Sequence, residues 1–214
     1  MVHFTLFGIP VYIRPSFWVV LAIFGGALSI SSVEDLIYPA LFVIAGFVAI
    51  LSHEMGHALV GRKLGGGQQT IVLELFGGLT SSHGMQLTRG GRALMILAGP
   101  MMTLLLGIIS LWLTWNIVAP VMTSYNLNFW DLAISPFTAA LISPKLYILS
   151  CLIMIGEWWT ILNLLPIYPL DGGQLIAQYI RSPRKVFMTG FITAILIGLL
   201  SFQLFHGYFI PIFM

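Results

Sequence analysis

Between Arg92 and Asp131 the chain carries no charged side chain. A run this long and apolar does not coat a water-soluble globule, and inside a bilayer it can satisfy its own backbone only as helix. Similar runs recur at about residues 16–30, 39–60, 146–165 and 186–205, beside the run at 93–118. Most approach the ~20 residues that span a hydrocarbon core; the first is short, which implies local thinning of the bilayer. Charged residues make up 7% of the chain and hydrophobic ones 58%, against about 25% charged in a soluble domain. The expected fold is therefore an all-α polytopic membrane protein with five to six transmembrane helices, built as a single domain over residues 1–214. Net charge is +2 with no basic run, which argues against a nucleic-acid partner. Cys151 stands alone, so it forms no internal disulfide and is expected to pack. No N-terminal stretch has the features of a cleaved secretory signal, and the first span is expected to insert the chain.

One apolar run carries an anomaly. His53-Glu54-Met55-Gly56-His57 reads HExxH between almost wholly apolar flanks. Histidines four apart share a helix face. Two imidazoles so placed can bind one Zn²⁺, and the glutamate between them can act as general base toward a water on the metal. Ionisable groups inside a membrane segment are costly, which makes a functional site the default reading. Catalytic zinc usually takes three protein ligands, so a third is still to be found.

The segments between spans are short. Residues 4–13 carry Gly8 and Pro10 and read as a hairpin or extended segment at the membrane surface. Residues 70–76 have strand composition and precede Gly77-Gly78, which predicts a small strand or β-hairpin near the active site. Such backbone survives near membrane depth only when covered by protein or facing a wet cavity. Pro100 is expected to kink the third span. Residues 120–144 read as a loop with a short interfacial helix at about 129–141. Pro166 and Pro169 predict extended backbone before Asp171, with a short helix over about 174–180.

The basic residues set an orientation. Arg14, Arg62, Lys63, Arg89, Arg92, Arg181, Arg184 and Lys185 fall on one side of a five-span arrangement, and Lys145 falls on the other. The N-terminus is thus expected in the cytoplasm of a multi-pass cell-membrane protein. His53 and His57 would then lie roughly 7–14 Å inside the cytoplasmic face at 1.5 Å per helical residue. Asp171 follows the cytoplasmic end of the fourth span and reaches the same depth range.

HEMGH together with Asn163-Leu164-Leu165-Pro166-Ile167-Tyr168-Pro169-Leu170-Asp171-Gly172-Gly173 resembles the site-2 protease family of intramembrane zinc metalloproteases. The N-terminal FGIPVYIRPSF, Phe76-Gly77-Gly78 and Ala98-Gly99-Pro100 add weaker similarity. One departure is visible: Met101-Met102-Thr103 stands where family members often have an Asn after the Gly-Pro. The resemblance implies one zinc per chain on His53, His57 and Asp171, with Glu54 as general base. It implies that Asn163 contacts the substrate carbonyl or its oxyanion. It also implies that the strand at Leu73 and Leu75, with Gly77 and Gly78, pairs with an unwound substrate. The implied activity is endopeptidase cleavage in or near transmembrane helices of other proteins, as in regulated intramembrane proteolysis. Expected partners are a transmembrane-helix substrate, the lipid bilayer and a regulatory membrane protein. Many relatives carry a PDZ or CBS domain; this chain is expected to be a minimal core without either.

Two residues compete for roles. Glu157 lies within the fourth span and is the rival third ligand, since zinc accepts a carboxylate from Glu as readily as from Asp. His83 follows the strand region and is a transient ligand, a group that occludes the site, or an exposed loop histidine. A zinc transporter is the main rival function, although no internal repeat is evident in the sequence.

Overall fold

A computed structural model describes the chain apart from Gly66, Phe76, Met85, Asn126, Leu127, Arg181 and residues 205–214. Phe76, Arg181 and the end of the expected last span therefore lie outside the described residues. The chain divides into two compact units, Met1–Thr160 and Ile161–Met214.

The first unit opens with an antiparallel hairpin of β1 (Val2–Leu6) and β2 (Ile9–Ile13). Its turn places Phe7 and Gly8 at positive φ. Helix α1 (Pro15–Phe24) begins on a proline, whose fixed φ suits a first helical turn. It ends well before the expected residue 30, because Gly26 adopts the left-handed conformation and a 3₁₀ turn follows. Helix α2 (Ile37–Gly65) carries the HExxH residues and ends on Arg62 and Lys63, which complement the helix dipole.

Strands β3 (Gln68–Glu74) and β4 (Gly77–His83) then form a second hairpin. The two hairpins join through parallel pairing of β2 with β3, giving the order β1-β2-β3-β4. The sequence pointed to each hairpin but not to this union. Alternate residues Ile9, Val11, Ile13, Ile71 and Leu73 are buried and pack with Phe17, Leu21, Ile50, Met55 and Ala58. One face of the sheet thus lies against the residues that flank the histidines. Arg14 ties the sheet to α1: its backbone N–H donates to Leu73 and its guanidinium pairs with Glu74 at 2.8 Å. Both side chains of that pair are well exposed. Glu74→Gln should therefore cost under about 1 kcal/mol in chemical denaturation, since screened surface pairs contribute little.

Helix α3 (Arg89–Tyr125) is longer than expected and continues through Pro120. The expected loop is thus shortened. It contains two short helices, α4 (Phe129–Ile134) and α5 (Pro136–Ala140), each capped by the preceding side chain, Asn128 and Ser135. Helix α6 (Pro144–Leu164) follows. Thr103 is fully buried after Pro100, where the sequence departs from the family pattern. It bonds the Thr160 hydroxyl at 2.8 Å and the Pro100 carbonyl at 3.0 Å, joining α3 to α6.

In the second unit the end of α6 leads into a turn closed by the Leu170 N–H donating to the Ile167 carbonyl at 2.8 Å. The two prolines therefore build a turn rather than extended backbone. Helix α7 (Asp171–Ala177) starts at Asp171, and α8 (Pro183–Leu204) follows. A Cβ on Gly172 would strike the Leu164 carbonyl, and one on Gly173 the backbone at Ile167. The paired glycines are thus what lets α7 fold back tightly onto the turn.

Among the described residues, Glu34–Gly65, Arg89–Pro120 and Pro144–Leu164 are long and apolar enough to cross a membrane. The shorter apolar helix Pro15–Phe24 adds to them.

Candidate metal centre and its base

His53, Glu54 and His57 are all buried in α2, at 2%, 5% and 8% exposure. Helical spacing puts both imidazoles on one face, and their Nε2 atoms stand 3.1 Å apart. Two nitrogens bound tetrahedrally to one zinc at ordinary Zn–N lengths would be about 3.3 Å apart. The pair is thus already spaced for a shared ion.

The tautomer of His57 follows from its neighbour. Its Nδ1–H donates to the Met95 carbonyl at 2.8 Å. A carbonyl only accepts, so the neutral ring keeps its Nε2 lone pair for a ligand. A second nitrogen held by a backbone carbonyl is the usual support of a metal-binding histidine. Met95 and Gly99 lie one turn apart on α3, and both face the ring. A Cβ on Gly99 would overlap His57 Nε2, and one on Gly56 would strike the Ala98 carbonyl. The glycines let two apolar helices approach at the level of the imidazoles, as small residues do in membrane bundles.

Glu54 faces the sheet. The Thr80 hydroxyl on β4 lies 2.7 Å from Glu54 Oε2 and 3.1 Å from the Glu54 carbonyl. Gly78 sits two residues earlier on the same strand face, where an added Cβ would meet the glutamate side chain. The carboxylate is thus wedged between α2 and β4, with one oxygen fixed by a hydroxyl.

The remaining expected residues fall as follows. Leu73 is fully buried in β3, which pairs with β2 on one side and β4 on the other. The expectation that residues 70–76 offer an edge to a substrate is therefore corrected: β3 is interior, and its ladder positions are taken. Among the described residues the edge strands are β1 and β4. Gly77 and Gly78 begin β4, and Leu75 is exposed in the turn between the strands. In the second unit, Asn163 is half-buried in the last turn of α6. Asp171 is buried as the first residue of α7, and Leu170, not Asp171, is the N-cap. Glu157 and His83 are exposed, unlike the buried donors. Met95, Gly99 and Thr80 were missed as site residues. Gly99 was noted only within Ala98-Gly99-Pro100. Thr80 was legible only as a residue in phase with Gly78.

Residues 41–205 match Peptidase family M50. The zinc metalloprotease MJ0392 of Methanocaldococcus jannaschii is 29% identical over 174 residues, which cover 81% of this chain and 43% of that protein. A putative zinc metalloprotease of Synechocystis, sll0528, is 28% identical over 188 residues, covering 82% of this chain and 43% of that protein. The chain thus corresponds to less than half the length of these curated relatives. Among solved structures, a site-2 protease from Methanocaldococcus jannaschii superposes with a TM-score of 0.60 at 24% identity, covering 99% of this chain and 88% of that one. That likeness concerns the fold. With most of its length inside the family match, including both histidines and Asp171, this chain belongs to Peptidase family M50.

Proposed function

We propose that this protein is an intramembrane zinc endopeptidase of the site-2 protease type, acting on peptide bonds in or near transmembrane helices of other membrane proteins. The observation that carries this reading is the buried His53–His57 pair at 3.1 Å with Glu54 between them in an apolar helix. One zinc is its cofactor, held by His53, His57 and Asp171. All three are buried, and two imidazoles with one carboxylate form a donor set typical of catalytic zinc. The exposed Glu157 lacks the burial of those donors. Residues 1–214 act as a single catalytic domain.

When bound, zinc polarises a scissile carbonyl and acidifies water. Glu54 takes the proton of the attacking water and passes it to the leaving amine nitrogen, so a single carboxylate serves as base and then as acid. Asn163 donates a hydrogen bond where negative charge develops on the carbonyl oxygen. A scissile bond within a helix is shielded by that helix's own hydrogen bonds. Pairing the substrate as an extended strand along the β4 edge, beginning at Gly77-Gly78, unwinds it beside Glu54.

The chain crosses the cell membrane five or six times, with its N-terminus and the opening of the site on the cytoplasmic side, as the basic residues indicate. A regulatory membrane protein controls access to the site, in keeping with regulated intramembrane proteolysis.

Metal content of the purified chain in lipid nanodiscs tests the ligand set. Asp171→Asn is expected to lower zinc from one per chain by at least tenfold, whereas Glu157→Gln retains it. The reverse pattern would reassign the third ligand and sink this form of the site.

A further inference from the structure

Two positions on one face of β4 touch the Glu54 side chain. The Thr80 hydroxyl lies 2.7 Å from Oε2, and a Cβ on Gly78 would strike the Glu54 stem and carboxyl carbon and crowd Oε1. A hydroxyl has one proton to donate, and Oε2 is nearer than the Glu54 carbonyl at 3.1 Å. The carboxylate is therefore the better-placed acceptor. A glutamate side chain has three rotatable bonds, and a helix alone does not fix its head group. Here the head group is buried, and a strand from outside the helix holds one of its two oxygens.

We propose that Thr80 is the positioning residue of Glu54: its hydroxyl holds Oε2, and together with the close backbone of Gly78 this fixes the carboxylate head group for its proton transfer. This rests on the reading of Glu54 as general base. It also gives β4 a second role. Among the described residues its outer edge pairs with no strand, while one face, through Gly78 and Thr80, sets the base. Leu79, between them, points the other way and is exposed. A substrate segment that pairs with β4 stiffens the element that aligns Glu54, so a correctly seated substrate tightens the base it needs. Thr80 touches neither substrate nor reacting atoms and acts only through Glu54.

Two measurements on the full chain in nanodiscs test this. The first is the carboxylate stretch of Glu54, isolated as the infrared difference between the wild type and Glu54→Gln. Thr80→Val, which keeps the shape and removes the hydroxyl, is expected to shift that band. Thr80→Ser is expected to restore it. The second is cleavage of a reconstituted single-span test helix carrying an Asn-Gly pair in its span. Thr80→Val should lower kcat roughly ten- to a hundredfold, the scale of one lost hydrogen bond to a charged group. KM and zinc content should stay within twofold, and Thr80→Ser should recover most of kcat.

An unshifted band in Thr80→Val overturns the proposal, as does an unchanged kcat. A loss in Thr80→Val that Thr80→Ser does not rescue also overturns it, because that pattern marks a packing role. Cleavage that survives Glu54→Gln, or a wild type that cuts no helix, instead refutes the peptidase reading. The infrared comparison still decides whether Thr80 holds Glu54.

Discussion

Glu54→Gln should lower cleavage of a membrane-embedded substrate by roughly 10²- to 10⁴-fold, the usual range for loss of a general base. Its zinc content should stay that of the wild type. The substitution keeps the size of the side chain and keeps an oxygen that can accept from Thr80, but it removes the site that receives a proton. His53 and His57 are unaffected, because the Met95 carbonyl and helix spacing, not Glu54, orient the His57 ring. Assaying turnover and metal on the same preparation separates the outcomes. Turnover near the wild-type rate would remove Glu54 from the chemistry. Loss of zinc would show that Glu54 supports the metal rather than the proton transfer.

The second large effect is expected at a residue with no polar side chain. Gly99→Val should strip zinc from the protein and lower its stability by about 1–3 kcal/mol, the usual cost of overpacking. The physical cause is one carbon atom. Any Cβ at position 99 overlaps Nε2 of His57, the atom that would offer its lone pair to a zinc ion. The imidazole must then leave its bond to Met95, or α3 must move off α2. Gly107→Ala on the same helix is the control, because its new Cβ meets nothing within 4 Å. It should retain zinc and gain up to about 1 kcal/mol from the better helix former. Metal content and thermal unfolding of the two variants check the contrast. Equal zinc in both would show that the helices separate freely at this level.

The helices and the histidine pair were legible because both depend on short-range rules. An uncharged run defines a span, and four-residue spacing defines a face. HExxH therefore places two imidazoles together before any tertiary contact is known. The hairpins were legible as local patterns too, at Gly8 and around Gly77-Gly78. Their union was not. Parallel pairing of Val11 with Ile71 joins segments on either side of two helices, and no local signal specifies it. That hidden pairing makes β3 an interior strand, where residues 70–76 read as an edge. The end of α1 was misplaced because apolar residues continue past Gly26, and the left-handed backbone there is invisible to hydropathy. Pro120 was read as a boundary, yet α3 passes through it. Thr80 escaped because a threonine in a strand is ordinary; only the arrival of Glu54 across the sheet gives it meaning.

The parallel β2–β3 junction also bears on how the protein is made. Translation delivers β1 and β2 first, yet the partner of β2 arrives only after both α1 and α2 have been synthesised. By then α1 and α2 have supplied the cover for Ile9, Val11 and Ile13, but the edge of β2 that later pairs with β3 still has its amide and carbonyl groups unmatched. That edge is completed only when Ile71, Val72 and Leu73 arrive. The β1–β2 hairpin is thus half of a sheet that closes only after two helices have been made, so its final pairing is a late step in assembly.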